Sequence, residues 1–147
     1  MRKLFSTIIT VLLLVSILAG AVASASPESA VPCESGYLLA YSATAATGSE
    51  RGAIKVTFIV KGMQENTTQI GVSKISVCRY DGTPMKTIYG STANGLLAAG
   101  VLNYSGSYEI TGLEPGTSYY ALVTIIAADA SGSDTRVVTT NTVKAAS

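Results

Sequence analysis

Between Ile54 and Lys61 the chain alternates. Ile54, Val56, Phe58 and Val60 fall on one face, and Lys55, Thr57 and Lys61 on the other. A repeat of two is that of an extended strand with one dry side and one wet side. The repeat returns over Ser118 to Ala128, where Tyr119, Ala121, Val123, Ile125 and Ala127 share a face. Weaker forms predict strands over Tyr37 to Ala46, over Val72 to Tyr80 with Ile75 and Val77 inward, and over Met85 to Tyr89. Ser107 to Thr111 fits the same pattern with Tyr108 and Ile110 inward. Thr135 to Val143, rich in valine and threonine, is expected to close the sheet. Gly90 to Tyr104 shows no clean period and reads as a short strand in an irregular connection, with a helical turn as the alternative. No stretch carries a helical apolar stripe.

Turn signals separate these segments. Residues 47–52 form a turn and residues 62–69 a polar loop. Asp81-Gly82 supplies the positive φ values of a tight hairpin. Asp129 to Asp134 turns around Gly132. About seven strands so spaced predict an all-β fold, an antiparallel two-sheet sandwich. Its corner is Leu113-Glu114-Pro115-Gly116-Thr117-Ser118-Tyr119. There Pro115 fixes φ and Gly116 permits a conformation other residues resist. Leu113 is expected to pack beneath the corner. Tyr119 should bury its ring and return its hydroxyl to the nearby backbone.

The amino terminus changes where this fold is expected to work. Arg2 and Lys3 precede the apolar run Leu4 to Ala19, and Ala23-Ser24-Ala25 has the small-residue form read by signal peptidase. The expected division is a signal peptide over residues 1–25, an arm over 26–36 and a sandwich domain over 37–147. Cleavage after Ala25 makes the product secreted and limits membrane contact to the transient leader. A retained anchor is the alternative, because the apolar run could just span a bilayer.

Charge and chemistry narrow the function classes. Of ten lysines and arginines, two lie in the leader; the remaining eight face nine carboxylates. Such a near-neutral chain has no basic surface for phosphates, so nucleic acid is not an expected partner. No histidine is present, which removes Ser/His/Asp triads, Cys/His pairs and most zinc sites. No feature gathers two carboxylates into a pocket, so no catalytic residue, cofactor or metal is expected. Asp129 to Asp134 lacks the acidic density of a calcium loop. Cys33 and Cys78 permit a disulfide in an exported chain, with two free thiols as the alternative. Cys78 shares its strand face with Lys74 and Ser76 and is expected to point outward. Of the eight tyrosines, Tyr80, Tyr89 and Tyr120 are the candidates for ligand contact, since exposed tyrosine anchors sugars and peptides.

The corner residues Leu113, Pro115, Gly116, Thr117 and Tyr119, followed by Ala121, Val123 and Ile125, resemble those of a fibronectin type III domain. The resemblance extends from Tyr108 to about Val143 and to Ile54–Val60. It departs from the family in having no tryptophan, so Ile75 or Val77 must fill that space, and in a longer stretch over Gly90 to Tyr104. An immunoglobulin-like sandwich is the alternative. The layout is also similar to that of small proteins exported by Gram-positive bacteria. The resemblance implies an extracellular module that contacts protein or glycan, and it carries over no catalytic residue. The family's integrin-binding tripeptide is not present, since Arg51-Gly52 is followed by Ala53. A spacer domain, or a surface subunit assembling through a strand edge, is the second expectation.

Overall fold

The computed structural model describes residues 36–147. The leader, its cleavage site and the arm up to Ser35, Cys33 included, lie outside the described residues. Nine strands follow: β1 (Leu38–Thr47), β2 (Ile54–Gly62), β3 (Gln69–Arg79), β4 (Pro84–Tyr89), β5 (Leu97–Ala98), β6 (Asn103–Ile110), β7 (Ser118–Ala128), β8 (Ser133–Thr139) and β9 (Val143–Lys144). All pairings are antiparallel. The small sheet has the order β1-β2-β6. The large sheet has the order β4-β3-β7-β8, with β5 added to β3 and β9 to β7.

One core joins the two sheets. Ile54, Val56, Phe58 and Val60 of β2 meet Ile75 and Val77 of β3 and Val123 and Ile125 of β7, all essentially without solvent exposure. Each such side chain contributes at most about 1.5–3 kcal/mol of transfer free energy. No tryptophan is needed to fill this space. Phe58 and Tyr104 add a tilted ring pair with centroids 5.8 Å apart. Opposite Phe58 on β6 stands Gly106, where a methyl group would come within 2.9 Å of the Phe58 ring. The ring occupies the place a β6 side chain would take.

Three elements differ from the expected pattern, each for a local reason. First, β3 begins at Gln69, and its alternation slips where the register with β7 shifts between Val72 and Lys74. That bulge lets Val72 and Ile75, an odd number of positions apart, both face the core. Second, β6 begins at Asn103, four residues earlier than the apolar pattern indicates, because Ser105, Gly106 and Ser107 hide its period.

Third, the expected closing strand is two strands. At Thr140 the main-chain N–H donates to the Ala121 carbonyl at 2.9 Å, and the side-chain oxygen accepts from the Ala121 N–H at 2.9 Å. One residue thus takes both ladder positions of Ala121, and the chain leaves β7 until β9 rejoins it at Ser118 and Tyr119. The irregular connection after β4 holds a turn at residues 92–95 before β5. There the Asn94 side-chain oxygen accepts from the N–H groups of Ser91 and Leu96.

Candidate functional site

The corner holds itself together with its own side chains. Tyr119 has no exposed surface, and its hydroxyl oxygen accepts the Glu114 N–H at 3.1 Å. Leu113 is buried beneath it, while Pro115 and Gly116 are exposed, Gly116 with φ of 73°. Glu114 in turn pairs with Arg79 at the end of β3, at 2.7 Å. Both partners are well exposed, so this pair contributes little to stability and mainly orients the corner.

The two outer sheet faces differ in chemistry. On the small sheet, the register aligns Ala40, Ser42, Thr44 and Ala46 with Lys55, Thr57, Ile59 and Lys61, and these with residues of β6. Apart from Ile59, that surface is small or polar. On the large sheet, one row runs Tyr89, Lys74, Thr124, Val137, and the next runs Thr87, Ser76, Leu122, Thr139. A third row pairs Cys78 with Tyr120. Tyr89 is 72% exposed and Val137 63% exposed; Leu122, Ile126 and Tyr120 are half-buried. The outer face of β7 carries Tyr120, Leu122 and Ile126 beside Thr124, so it keeps a mixed aromatic and aliphatic surface with Lys74 and Thr124 in its middle.

Two of the three candidate tyrosines therefore lie on one sheet face without touching. Tyr89 and Tyr120 share the outer face of the large sheet, about 13 Å apart along the strands and two strands, about 10 Å, apart across them. Tyr80 stands apart in the β3–β4 hairpin, 76% exposed, beside a shallow depression shared with Arg79, Asp81, Thr117 and Ser118. Leu122, Ile126 and Val137 complete the face and were not among the candidates. Their signal was available in Leu122 and Ile126 at outward positions of β7 and Val137 at one of β8, where a solvated face would carry polar residues.

Cys78 is on the outer face, as its neighbours Lys74 and Ser76 indicate, yet it is only 5% exposed. Tyr120 lies directly across from it, and loss of water around the phenol, together with the adjacent Cys78 thiol and the Asp81 carboxylate, raises the Tyr120 pKa above its usual value. Its proposed bridge partner, Cys33, is outside the described residues.

Four further carboxylates are engaged locally. The Asp129 carboxylate accepts from the N–H groups of Ser131 and Gly132, at 2.6 and 3.1 Å, and Asp134 pairs with Arg136. The two ends of that turn serve separate partners. Asp81 accepts from the Thr83 N–H at 2.9 Å, and bonds from Thr83 hold its pKa below the usual value. Glu109 receives the Ser49 hydroxyl and the N–H groups of Ser49 and Glu50. These donors lower its pKa. Among the described residues, no group of three or more His, Cys, Asp or Glu gathers as a metal site.

Comparison with protein-family models, with curated proteins and with solved structures gives no match.

Proposed function

We propose that this chain is an exported, non-catalytic sandwich of the fibronectin type III-like kind that works by surface contact with a protein or glycan outside the cell. The observation that carries this reading is the outer face of the large sheet. Tyr89 and Val137 are exposed there and Leu122, Ile126 and Tyr120 half-buried, with Lys74, Ser76 and Thr124 set between them; aromatic and aliphatic groups spaced by hydroxyls suit recognition better than solvation. Thr87, Thr124, Thr135 and Thr139 supply the hydroxyls from the same face.

The strand order supports the likeness to fibronectin type III. The fourth strand lies beside the third, whereas in a constant-type immunoglobulin arrangement it joins the first sheet. The Tyr119–Glu114 corner bond supports the same reading. Export rests on the leader pattern of residues 1–25. A non-catalytic role is supported by the lack of histidine and by the Asp81, Glu109 and Asp129 carboxylates, which bond to nearby turns.

The test is a glycan array and a peptide display panel probed with the purified protein and with Tyr89→Ala and Val137→Lys variants. Saturable binding that both variants lose supports the reading. Binding that neither variant weakens would place recognition elsewhere and remove this face from the proposal.

A further inference from the structure

The edge of β1 is covered by a single side chain. The Asn141 amide makes two bonds to Ala45: its oxygen accepts the Ala45 N–H at 2.9 Å and its nitrogen donates to the Ala45 carbonyl at 2.9 Å. These are the two bonds that a neighbouring strand would make with that residue. Just beyond, the Thr47 hydroxyl donates to the Lys144 carbonyl at 3.0 Å. Ala146 exchanges bonds with Gly52 and Ala53. The carboxy-terminal segment thus lies against the small sheet after leaving the large one.

Backbone groups of alternate residues in an antiparallel strand point away from the partner strand. Ala45 faces away from β2, so Ala43 and Tyr41 do too, because the register from Ala40 to Thr47 is regular. Among the described residues, nothing bonds to these two outward positions. The other long edge strands each carry a charge or a proline: Pro84 and Lys86 on β4, Glu109 on β6, Asp134 and Arg136 on β8; β5, also at an edge, is only two residues long. Charge and proline are common protections of an edge. Ala40 to Ala46, with the sequence AYSATAA, has neither.

We propose that Asn141 is an edge guard, and that releasing it opens β1 to the β1 strand of a second copy. The stretch suits itself as a partner. A two-fold axis at Ala43 sets Tyr41 of one copy against Ala45 of the other, large against small, with no charge opposed to its like. The pairing needs the outward backbone of Ala45, which Asn141 holds in the monomer. Guarded, the chain stays single; unguarded, two small sheets join into one of six strands.

Sedimentation velocity across a wide concentration range, on the purified protein and on Asn141→Asp and Asn141→Leu, tests this. The native protein should remain a monomer, and both variants should show an apparent mass that doubles with concentration. Adding Tyr41→Pro removes an outward N–H that β2 does not use, together with the ring set against Ala45 of the second copy, and should return each variant to the monomer. Variants that stay folded and monomeric, with faster hydrogen exchange at Ala45, would overturn the guard. So would a native protein that already dimerises through β1, doubling that survives Tyr41→Pro, or outright unfolding of both variants, which would make Asn141 a determinant of the fold.

Discussion

Tyr119 and Glu114 are five positions apart, and the phenol oxygen of the first accepts the backbone N–H of the second at 3.1 Å. The bond spans the Pro115-Gly116 turn and fixes the angle at which the chain passes from the small sheet to the large one. Its ring sits wholly inside the core, so the hydroxyl is held against the turn by packing on every other side.

Replacing Tyr119 with Phe keeps the ring and removes the acceptor. The Glu114 N–H is then left beside a phenyl edge that cannot accept from it. The expected loss is about 1–3 kcal/mol, read by chemical denaturation with an unchanged m-value. A variant as stable as the native protein would show that water reaches that N–H and that the corner does not depend on this bond.

Glu109 gives the fold a dependence on acid. The Ser49 hydroxyl, then the Glu50 and Ser49 N–H groups, favour its charged form and lower its pKa below the ordinary 4.5. A carboxylate with a lowered folded pKa contributes stability that is complete above its unfolded value. That contribution is lost as pH falls through the folded value. Asp81, lowered from 3.8 by Thr83, acts in the same direction at slightly lower pH. Thermal melts should therefore drop as pH falls below about 4.5, and the Glu109→Gln variant should drop less steeply. Parallel curves for the two proteins would refute the assignment.

The strands most legible in the sequence are those with one wet and one dry side or with a strict inward repeat. β2 has the burial alternation its lysines and aliphatics indicate, and β7 runs over the residues its apolar repeat marks. The corner was legible for a different reason: Pro, Gly and Tyr at fixed offsets have separate physical tasks that do not depend on distant contacts. What stayed hidden was set by tertiary partners. The slip in β3 depends on the register against β7, and the break at Thr140 depends on Ala121. Asn141 gives no local signal, since its role exists only because Ala45, 96 positions away, is brought beside it. The candidate face was half legible. Tyr89 and Tyr120 could be named from exposure, but the rows that unite them with Leu122 and Val137 require the pairing of four strands.

Gly71 is a further case of a residue explained by its neighbours. It lies in β3 with φ of 135°, a conformation in which side chains are strained. An added methyl group would also fall 2.2 Å from the Leu96 carbonyl oxygen, a backbone atom fixed by its bond to the Val72 N–H. Neither cost can be relieved by turning a side chain. Gly71→Ala should destabilise the domain by about 3 kcal/mol or more, measured by urea unfolding. Gly95→Ala is the contrast: its φ is also positive, but no atom lies near the added group, so the loss should be about 1 kcal/mol. Equal losses at the two sites would mean that the Leu96 contact yields more easily than its geometry indicates.

Tyr120 shields the thiol of Cys78. The two residues are direct cross-strand partners, and Cys78 is nearly inaccessible although it lies on an outer face. The thiolate attacks the disulfide of such a reagent, and the reagent must first reach it. In the reduced native protein Cys78 should therefore react slowly with Ellman's reagent. In Tyr120→Ala, with the cover removed and the fold retained, the rate should rise toward that of an exposed cysteine. Tyr120→Phe separates shape from hydrogen bonding: it keeps the ring, so the thiol should stay slow. Should Tyr120→Phe react as fast as Tyr120→Ala, the phenol hydroxyl would be what restrains the thiol, and steric cover would be the wrong account. Fast reaction of the native protein itself would mean that the outer face opens at Cys78 far more often than a packed pair of strands allows.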